Sequence, residues 1–461
     1  MTEYEYFFGL SLFLFSIFLS HNVSVVHPDA HARVSRMATA FAALPQLVLG
    51  GYRPTTFDYD PGRDTDPGTL VTKEQWVEVF RSSIPEFSKR AASDLRVPNS
   101  QDLSRQFAAQ FGADLDSVTA GDHTHLFKGA PTVLKLCALR DKRLRDAGFA
   151  DCFAEVKKHE NEKALKQLPG VLAEIDAIQD REARILTLVQ GVFAGNIFDL
   201  GAAASAELHA ERDRMGKQGK TGFFHETRAG LKKKPWCVDD FDLFSRKWLS
   251  ESGDAGDGDD TSATGDAGDG DNTSNTSPTV LKSTSPTGDV NKTSPTVLGT
   301  SPTIIKSPWR KVLMFVDNAG ADVLLGIFPL AREFLRGGAA VILAANETPS
   351  INDVTARELG EILSMVCAVD EIFKTAFNDG SLQVVSSGSD LPVIDLTKLS
   401  TELCELSLGV DLVVLEGMGR AVETNLHAKF TCDALNLGMV KHPEVATCLN
   451  GSLYDCVCRF R

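Results

Sequence analysis

Residues 311–322, with the sequence KVLMFVDNAGAD, decide the fold of this chain. The apolar run at residues 312–316 has the composition of a strand that is buried on both faces, as in parallel sheets. It stops at Asp317 and Asn318, and three small residues follow. Apolar residues then recur with helical spacing over residues 324–335, before two glycines that favour a helix end. Two oxygen-bearing side chains are therefore predicted at the carboxyl end of a strand, facing a helix N-terminus.

This arrangement predicts a site for a metal ion and a phosphate group. Open α/β sheets bind ligands at the carboxyl ends of their strands, and helix N-termini favour anions such as phosphate. A carboxylate next to an anion is unfavourable unless a cation lies between them. Asp and Asn side chains are hard oxygen donors, which suit Mg²⁺ or Mn²⁺.

Strands and helices alternate from this stretch to the end of the sequence. Strands are predicted at residues 311–316, 339–344, 382–386, 411–415 and 436–440. Helices are predicted between most of them, which is the βαβ pattern. We therefore expect a Rossmann-like, doubly wound and mainly parallel α/β sheet over residues 309–461.

The preceding region has a helical pattern. Residues 71–250 are predicted to form a helical subdomain, with its clearest helices at residues 83–91, 133–146 and 181–194. The second of these helices carries basic residues, which we predict on its outer face: Lys135, Arg140, Lys142, Arg143 and Arg145. A short basic run at residues 232–234 is interpreted as solvated surface.

Two segments lack the pattern of a folded core. Residues 1–70 are an apolar N-terminus and a loop-rich lead, and residues 251–308 are predicted to be a disordered, low-complexity insertion. The insertion repeats Gly-Asp-Ala-Gly-Asp-Gly-Asp and Thr-Ser-Pro-Thr. The apolar run at residues 7–20 is short for a bilayer span and lacks the basic flank of a signal peptide. A signal or anchor, a docked helix and a misassigned gene start stay open for this run.

Composition bounds the partners and the compartment. The formal net charge of -15 argues against nucleic acid as a partner, because phosphate backbones attract Lys and Arg. The nine cysteines are scattered and include no C-x-x-C pair, which is typical of a reducing compartment. We expect a cytoplasmic protein, and a membrane partner only if the N-terminal apolar run is an anchor.

Polar side chains follow each of the predicted parallel strands. The ends of parallel strands lie along one edge of the sheet, so residues distant in the sequence are expected to converge there. Single Asp and Asn residues at such places often only cap helices. Four strand ends together favour one metal and phosphate site. The residues concerned are Asp317, Asn318, Asn346, Glu347, Asn352, Asp353, Glu416, Gly417, Gly419, Arg420, Lys441 and His442.

Motifs of several other chemistries are missing from the sequence. Gly417 and Gly419 lack the third glycine of a dinucleotide fingerprint, because Val422 stands at its position. The sequence contains no G-x-x-x-x-G-K-S/T loop, no G-x-S-x-G and no H-E-x-x-H. Hydrolysis of a phosphate monoester needs acceleration by up to about 10²¹-fold, mostly through positioning and charge stabilisation, which a metal and preorganised donors supply.

Four long motifs resemble those of the damage-control phosphatases. They occupy residues 194–201, 315–322, 345–354 and 416–421. The similarity is greatest to the second subfamily, which includes plant stand-alone proteins and the C-terminal domain of the type-4 pantothenate kinase. It covers about residues 70–250 and 309–461. The low-complexity insertion and the apolar N-terminus depart from the family pattern.

The resemblance also implies roles for individual residues. Asp317, Asn318 and Asp353 match the metal-binding positions of the family, and either aspartate would orient the attacking water. Asn196 and Asp199 match a G-N-x-x-D element, which would orient substrate or water together with Glu416. Lys158 begins a similar K-x-E-N stretch with Glu160 and Asn161. Phosphate binding is expected from the following set: Gly320, Asn352, Gly417, Gly419, Arg420, Lys441 and Lys158.

The residues and the resemblance together predict a divalent-metal-dependent phosphatase that acts on small phosphorylated metabolites. The cofactor would be Mn²⁺, Ni²⁺, Co²⁺ or Mg²⁺. The resemblance implies 4′-phosphopantetheine, its oxidised forms or sugar phosphates as substrates. A methyltransferase using S-adenosylmethionine is the first alternative, which the missing glycine fingerprint disfavours. A non-catalytic metabolite-binding protein is the second, which the intact set of metal-ligand types disfavours.

Overall fold

The structure is a computed structural model that describes residues 41–54, 71–197, 223–250 and 303–461. Its strands are β1 Phe41–Ala42, β2 Val238–Asp239, β3 Lys311–Phe315, β4 Ala340–Ala345, β5 Leu382–Ser386, β6 Leu399–Ser400, β7 Leu412–Glu416, β8 Asp433–Met439 and β9 Cys456–Phe460. Its helices are α1 Lys73–Ala92, α2 Ser100–Ala120, α3 Val133–Asp146, α4 Ala154–Ala177, α5 Arg181–Asn196, α6 Phe223–Ala229, α7 Phe241–Ser250, α8 Phe328–Arg336, α9 Ala356–Cys367, α10 Glu371–Asp379, α11 Thr401–Leu406 and α12 Pro443–Cys448. Two π-helical turns, Asp322–Ile327 and Met418–Glu423, follow β3 and β7.

The central sheet has seven strands in the order β2-β9-β8-β7-β3-β4-β5. Strands β3, β4, β5, β7 and β8 pair in parallel, whereas β9 runs antiparallel to β8. This confirms the predicted Rossmann-like, mainly parallel α/β fold. The chain adds β4 and β5 on one side of β3 and later adds β7 and β8 on the other. The carboxyl ends of β3 and β7 therefore border the crevice in which such sheets bind ligands.

The apolar run of β3 is explained by burial on both faces. Val312 and Met314 belong to one hydrophobic cluster, which also contains residues of α4, α5, α8, α9 and α10. Leu313 and Phe315 belong to a second cluster, with residues of α1, α2 and α3. The helices before the sheet thus cover both of its faces and lie next to the strand that carries Asp317.

The five predicted strands are present with shifts of up to three residues at their ends. The strands β2 and β9 of this sheet were not predicted from the sequence. The strand β2 is only two residues long and pairs with β9, so the central sheet includes a segment before residue 250.

The three predicted helices are also present, and one prediction about them is wrong. The helix predicted at residues 83–91 begins earlier, at Lys73, where Thr72 and Gln75 form a capping box. The structure does not place Arg140 on the outer face of α3. This residue is 5% exposed, and its guanidinium group packs against the rings of Phe80 and Phe87.

Aromatic side chains hold together the two chain segments that flank residues 251–302. Trp248, near the end of α7, stacks on Phe334 with ring centroids 4.4 Å apart. Its ring also lies 5.8 Å from that of Trp309, two residues before β3 begins. The segments before and after residues 251–302 therefore contact each other near the amino end of β3.

The predictions for residues 1–40 and 251–302 fall outside the described residues. The disordered insertion and the domain boundaries accordingly stay predictions. Within the part that the structure describes, no helix combines the length and the apolar character that a bilayer span requires.

Two glycines allow α5 to pack closely against the π-helical turn Asp322–Ile327. A Cβ atom at Gly195 would lie 2.7 Å from the Cα atom of Asp322, and one at Gly326 would lie 3.0 Å from the Cα atom of Val192. This approach brings Asn196, the last residue of α5, beside the buried Asp322 carboxylate.

We predict that Gly195→Ala lowers the free energy of unfolding by about 1–3 kcal/mol, because the added methyl group overlaps the neighbouring backbone. The control is Gly112→Ala in α2, where an added Cβ meets no atom of the described residues within 4 Å. That change should stabilise the protein by about 0.5–1 kcal/mol, because alanine favours the helix. Urea denaturation measures both, and equal effects would refute the close-packing explanation.

Candidate metal and phosphate site

Three buried acidic side chains gather at the carboxyl ends of β3 and β7. Asp317 is 4% exposed, and Asp322 and Glu416 are fully buried. One carboxylate oxygen from each lies within 4.8 Å of the other two, a spacing compatible with a shared metal ion. Like charges this close repel one another strongly in a buried environment, so the cluster requires compensating donors or cations.

Asp353 reaches the same site because the segment after β4 folds back along the end of β3. The Ala319 N–H donates to the Asn352 carbonyl at 3.0 Å, and the Val354 N–H donates to the Asp317 carbonyl at 3.0 Å. Between these hydrogen bonds, Asn318 and Asp353 form an isolated antiparallel bridge. The three predicted metal ligands are thus adjacent, although 36 residue positions separate the two aspartates.

The turn before Asp353 has an unfavourable backbone conformation. Ile351 has φ = 41°, in the left-handed region that β-branched residues rarely adopt. Its neighbours Ser350, Asn352 and Asp353 are all buried. The surrounding hydrogen bonds hold this strained turn, as is common at functional sites.

Asn196 reaches the carboxylate cluster from the helical side. Its Nδ2 donates to Glu416 at 2.9 Å, to Asp322 at 3.1 Å and to Asp317 at 3.3 Å. Its Oδ1 accepts the Met439 N–H at 3.2 Å, which fixes the orientation of the amide group. Two N–H bonds shared among three carboxylates relieve part of the repulsion and neutralise none of the charge.

Two buried cations oppose the carboxylates. The Nη1 atom of Arg420 pairs with Asp317, and its Nη2 atom lies 2.6 Å from Asp353 and 3.0 Å from Asn346 Oδ1. Arg420 and Lys441 are 2% and 1% exposed. With Asp322 and Glu416 included, four carboxyl groups lie around Arg420 and Lys441, an excess of acidic groups that a divalent ion would help to offset.

The pKa shifts reflect this deficit of positive charge. Burial raises the pKa of the Glu416 carboxyl well above its usual range, and the Asp322 and Asp317 carboxylates raise it further against the opposing Arg420 and Lys441. Burial likewise raises the pKa of Asp322, with Lys441 as the strongest opposing group. A bound cation would favour the ionised form of both groups.

Unused acceptor atoms fit a hard cation. Asn318 donates its amide group to Asp317 at 3.0 Å and to Asp322 at 2.8 Å, which leaves its Oδ1 free. Asn318 Oδ1 and Asp322 Oδ1 are both buried, and neither has a hydrogen-bond partner among the residues that the structure describes. Orphaned buried oxygens are unfavourable, so their presence beside Asp317 suits a site that a metal completes.

A cavity of about 260 Å³ leads to this cluster and is lined by Asp317, Arg140, Gly419 and Lys441. Its remaining wall is largely apolar. The main contributors are Trp76, Phe80, Val133, Ile351, Val393 and Met418. His442 and Glu423 also line it and lie 3.2 Å apart. A ligand with a charged end and an extended neutral body fits this distribution.

Lys158, predicted at the site, is exposed in the structure, and Lys157 reaches the site instead. Lys157 is 2% exposed, pairs with Glu358 at 2.8 Å and donates to the Asp353 carbonyl at 3.4 Å. Asp199 lies outside the described residues. Lys157 lies on the inward-facing side of α4, and its neighbour Lys158 lies on the exposed side. The K-x-E-N spacing did not distinguish these two adjacent lysines.

Two of the predicted phosphate-binding backbone groups are already hydrogen-bonded. The Gly320 N–H donates to Asn161 Oδ1 at 2.6 Å, and the Gly417 N–H donates to the Leu437 carbonyl at 3.0 Å. Gly417 serves another purpose, because at φ = 99° a Cβ atom here would overlap the Asp317 carboxylate. Asn352 Oδ1 is buried and accepts no hydrogen bond within the described part of the chain, so this side chain offers an unused acceptor.

Comparisons with known proteins identify the family of the chain. The sequence profile of the family "Damage-control phosphatase ARMT1-like domain" matches residues 79–259 and 271–457. A damage-control phosphatase of Arabidopsis thaliana is 40% identical, over 91% of this chain and 96% of its own. A 4′-phosphopantetheine phosphatase of Mus musculus is 28% identical over 93% of this chain, which spans about half (49%) of that relative. A crystal structure of a DUF89 family protein from Pyrococcus horikoshii is 16% identical with a TM-score of 0.48, covering 83% of this chain and 96% of its own.

Removal of the Asn196 amide should destabilise the carboxylate cluster. We predict that Asn196→Ala lowers the free energy of unfolding by about 1–3 kcal/mol, because buried acceptors lose their donor. Thermal or urea denaturation in chelator measures the loss. The control variant Asn378→Ala, at an exposed position of α10, should change the free energy of unfolding by less than about 0.5 kcal/mol. A stability loss no larger than that of the control would show that the amide does not hold the cluster.

Proposed function

Since this chain belongs to the damage-control phosphatase ARMT1-like family, we propose that it hydrolyses phosphate monoesters of small metabolites with the help of a divalent metal ion. The observation that carries the proposal is the position of Asp317. This residue belongs to the buried carboxylate cluster and also lines the cavity, so it connects a cation site with a space for substrate.

Asp317, Asn318 and Asp353 would hold the metal. Their adjacency through the backbone bridge supports this set, and so does the unpartnered Asn318 Oδ1. Asp322 and Glu416 accept hydrogen bonds from the same Asn196 amide group as Asp317 does. They would orient the ligands and add negative charge. Oxygen ligands of this kind suit Mg²⁺ and Mn²⁺, and the family resemblance adds Ni²⁺ and Co²⁺.

The bound metal would polarise the phosphoryl group and stabilise the charge that develops on it. The protein's own residues supply the remaining functions. Either Asp317 or Asp353 would orient the attacking water and accept its proton, and the same carboxyl group would pass that proton to the departing alcohol oxygen. Lys441 lines the cavity and offers a point charge for the phosphate. Arg420 keeps the two aspartates at a fixed separation through one guanidinium group. The apolar wall excludes water and so strengthens each of these electrostatic interactions.

The shape and lining of the cavity favour one substrate class within the family. A phosphate at Asp317 would leave the rest of the molecule against Trp76, Phe80 and Met418. An extended chain with methylene groups can cover more of the apolar part of that wall than a compact sugar, whose surface is mostly hydroxyl groups. We therefore propose 4′-phosphopantetheine or its oxidised forms as substrates ahead of sugar phosphates. The name of the mouse relative supports this choice.

Asp317→Asn should reduce the turnover of a phosphometabolite panel by at least about 10³-fold in every metal tested, because the metal and the water lose their shared ligand. Phosphate release measured with Mg²⁺, Mn²⁺, Co²⁺, Ni²⁺ and chelator tests this. Asp116→Asn on α2, where the side chain is 73% exposed, is the matched control and should behave as the wild type. Undiminished activity in Asp317→Asn would reject the assignment.

A second pair of variants separates two possible ligand sets. Asp353→Asn should weaken Mn²⁺ binding by more than about 100-fold, whereas Asp322→Asn should weaken it by about 10–100-fold, as expected for a residue that only orients ligands. Isothermal titration calorimetry measures both constants. If Asp322→Asn weakened Mn²⁺ binding more than Asp353→Asn did, the metal would instead be assigned to Asp317, Asp322 and Glu416.

The substrate preference can be tested at the cavity wall. Trp76→Ala should raise the KM for 4′-phosphopantetheine by about tenfold, since it removes apolar contact with the extended chain, and should change the KM for a sugar phosphate by less than about twofold. Leu95→Ala, at a fully solvated position (98% exposed), is the control. Equal increases for both substrates would contradict the proposed preference.

A further inference from the structure

Arg140 places a buried positive charge beside the cavity that leads to Asp317. It lines this cavity on α3, from the helical side, and is 5% exposed. Its electrostatic neighbours include the Asp353 carboxylate. The guanidinium group is therefore close to the cluster and faces the space that substrate would occupy.

The surroundings of Arg140 hold it in one place. Its Nε donates to Asp141 Oδ1 at 2.7 Å, and Ser350 Oγ donates to the other oxygen of that carboxylate. Its guanidinium lies 4.7 Å from the ring centroid of Phe87 and 5.8 Å from that of Phe80. Both the charge partner and the aromatic rings fix the side chain before any ligand arrives, which lowers the entropic cost of binding.

Arg140 retains hydrogen-bonding capacity that other candidate donors have used. Its Nη2 atom is buried and finds no hydrogen-bond partner among the described residues. Arg420, in contrast, commits Nη1 to Asp317 and Nη2 to Asp353 and Asn346. The backbone N–H groups of Gly320 and Gly417 are also committed.

A buried arginine with an open donor is unfavourable unless an anion completes it. The planar guanidinium group suits a phosphate because it can donate two parallel hydrogen bonds. Asp141 balances the charge of Arg140 without occupying its terminal nitrogens, so the side chain stays ionised and available.

We propose that Arg140 binds the phosphate group of the substrate from the side opposite the β3 and β7 ends. This inference rests on the proposed function, because it names the residue that holds the phosphoryl oxygens of the same substrate. The Asp141–Ser350 hydrogen bond also connects Arg140 to the turn that carries Asp353.

The test compares Arg140→Gln and Arg140→Lys with Arg145→Gln, an exposed arginine on the same helix. Equilibrium dialysis of inorganic phosphate in saturating Mg²⁺ should show binding weakened by at least about tenfold in Arg140→Gln, by less in Arg140→Lys, and unchanged in Arg145→Gln. The kcat/KM of the best substrate should fall by about 10²–10³-fold in Arg140→Gln. Mg²⁺ affinity, measured without phosphate, should stay within about twofold of the wild type, because Arg140 is not a metal ligand.

Wild-type phosphate affinity in a folded Arg140→Gln variant would overturn the inference. If that variant also hydrolyses the best substrate at the wild-type rate, the proposed function still stands. Phosphate binding that depends on Arg140, in a protein that hydrolyses no ester of the panel, would reject the proposed function and support the anion site. If Arg140→Gln does not fold, Arg140→Lys decides, since it keeps the charge and most of the volume. Phosphate binding weakened by about fivefold or more supports the inference, and unchanged binding rejects it.

Discussion

The excess of buried negative charge at the carboxyl ends of β3 and β7 is the constraint on which the rest of the structure depends. Asp317, Asp322 and Glu416 are too close to one another to remain ionised in an apolar interior without help. The side-chain amides of Asn196 and Asn318 donate hydrogen bonds to these carboxylates, and the cations Arg420 and Lys441 offset part of their charge. In the proposed function, a divalent ion would offset the remaining negative charge.

The helical region forms part of the site and does not merely support the sheet. Asn196 ends α5 within the carboxylate cluster, and Asn161 of α4 accepts the Gly320 N–H at the end of β3. Lys157 of α4 reaches the Asp353 carbonyl. The close contact at Gly195 makes this possible, because a side chain there would displace the helix from Asp322. The same residues therefore determine packing and the geometry of the site.

The sequence was informative where one physical requirement dominates. A strand buried on both faces must be apolar throughout, so β3 and its parallel neighbours were predicted, and the Asp317–Asn318 pair at its end pointed to a cation. Individual contacts were less accessible. Asp322 lies five residues after Asp317, at the end of the stretch 311–322. Its place at the start of a helical segment did not indicate that its carboxylate is buried in the cluster. Lys157 and Lys158 differ by about 100° around a helix, which spacing alone cannot resolve. Arg140 lies in a run of basic residues, and only tertiary packing distinguishes it from its solvated neighbours.

The aromatic contact between Trp248 and Trp309 has an evolutionary consequence. It fastens both ends of residues 251–302 at one place, near the amino end of β3, whereas the carboxylates lie at the opposite end of that strand. A segment whose ends are already joined can lengthen with only a slow rise in closure entropy. Changes in the length or sequence of this stretch are therefore expected to leave the carboxylate cluster on the far side of the sheet undisturbed.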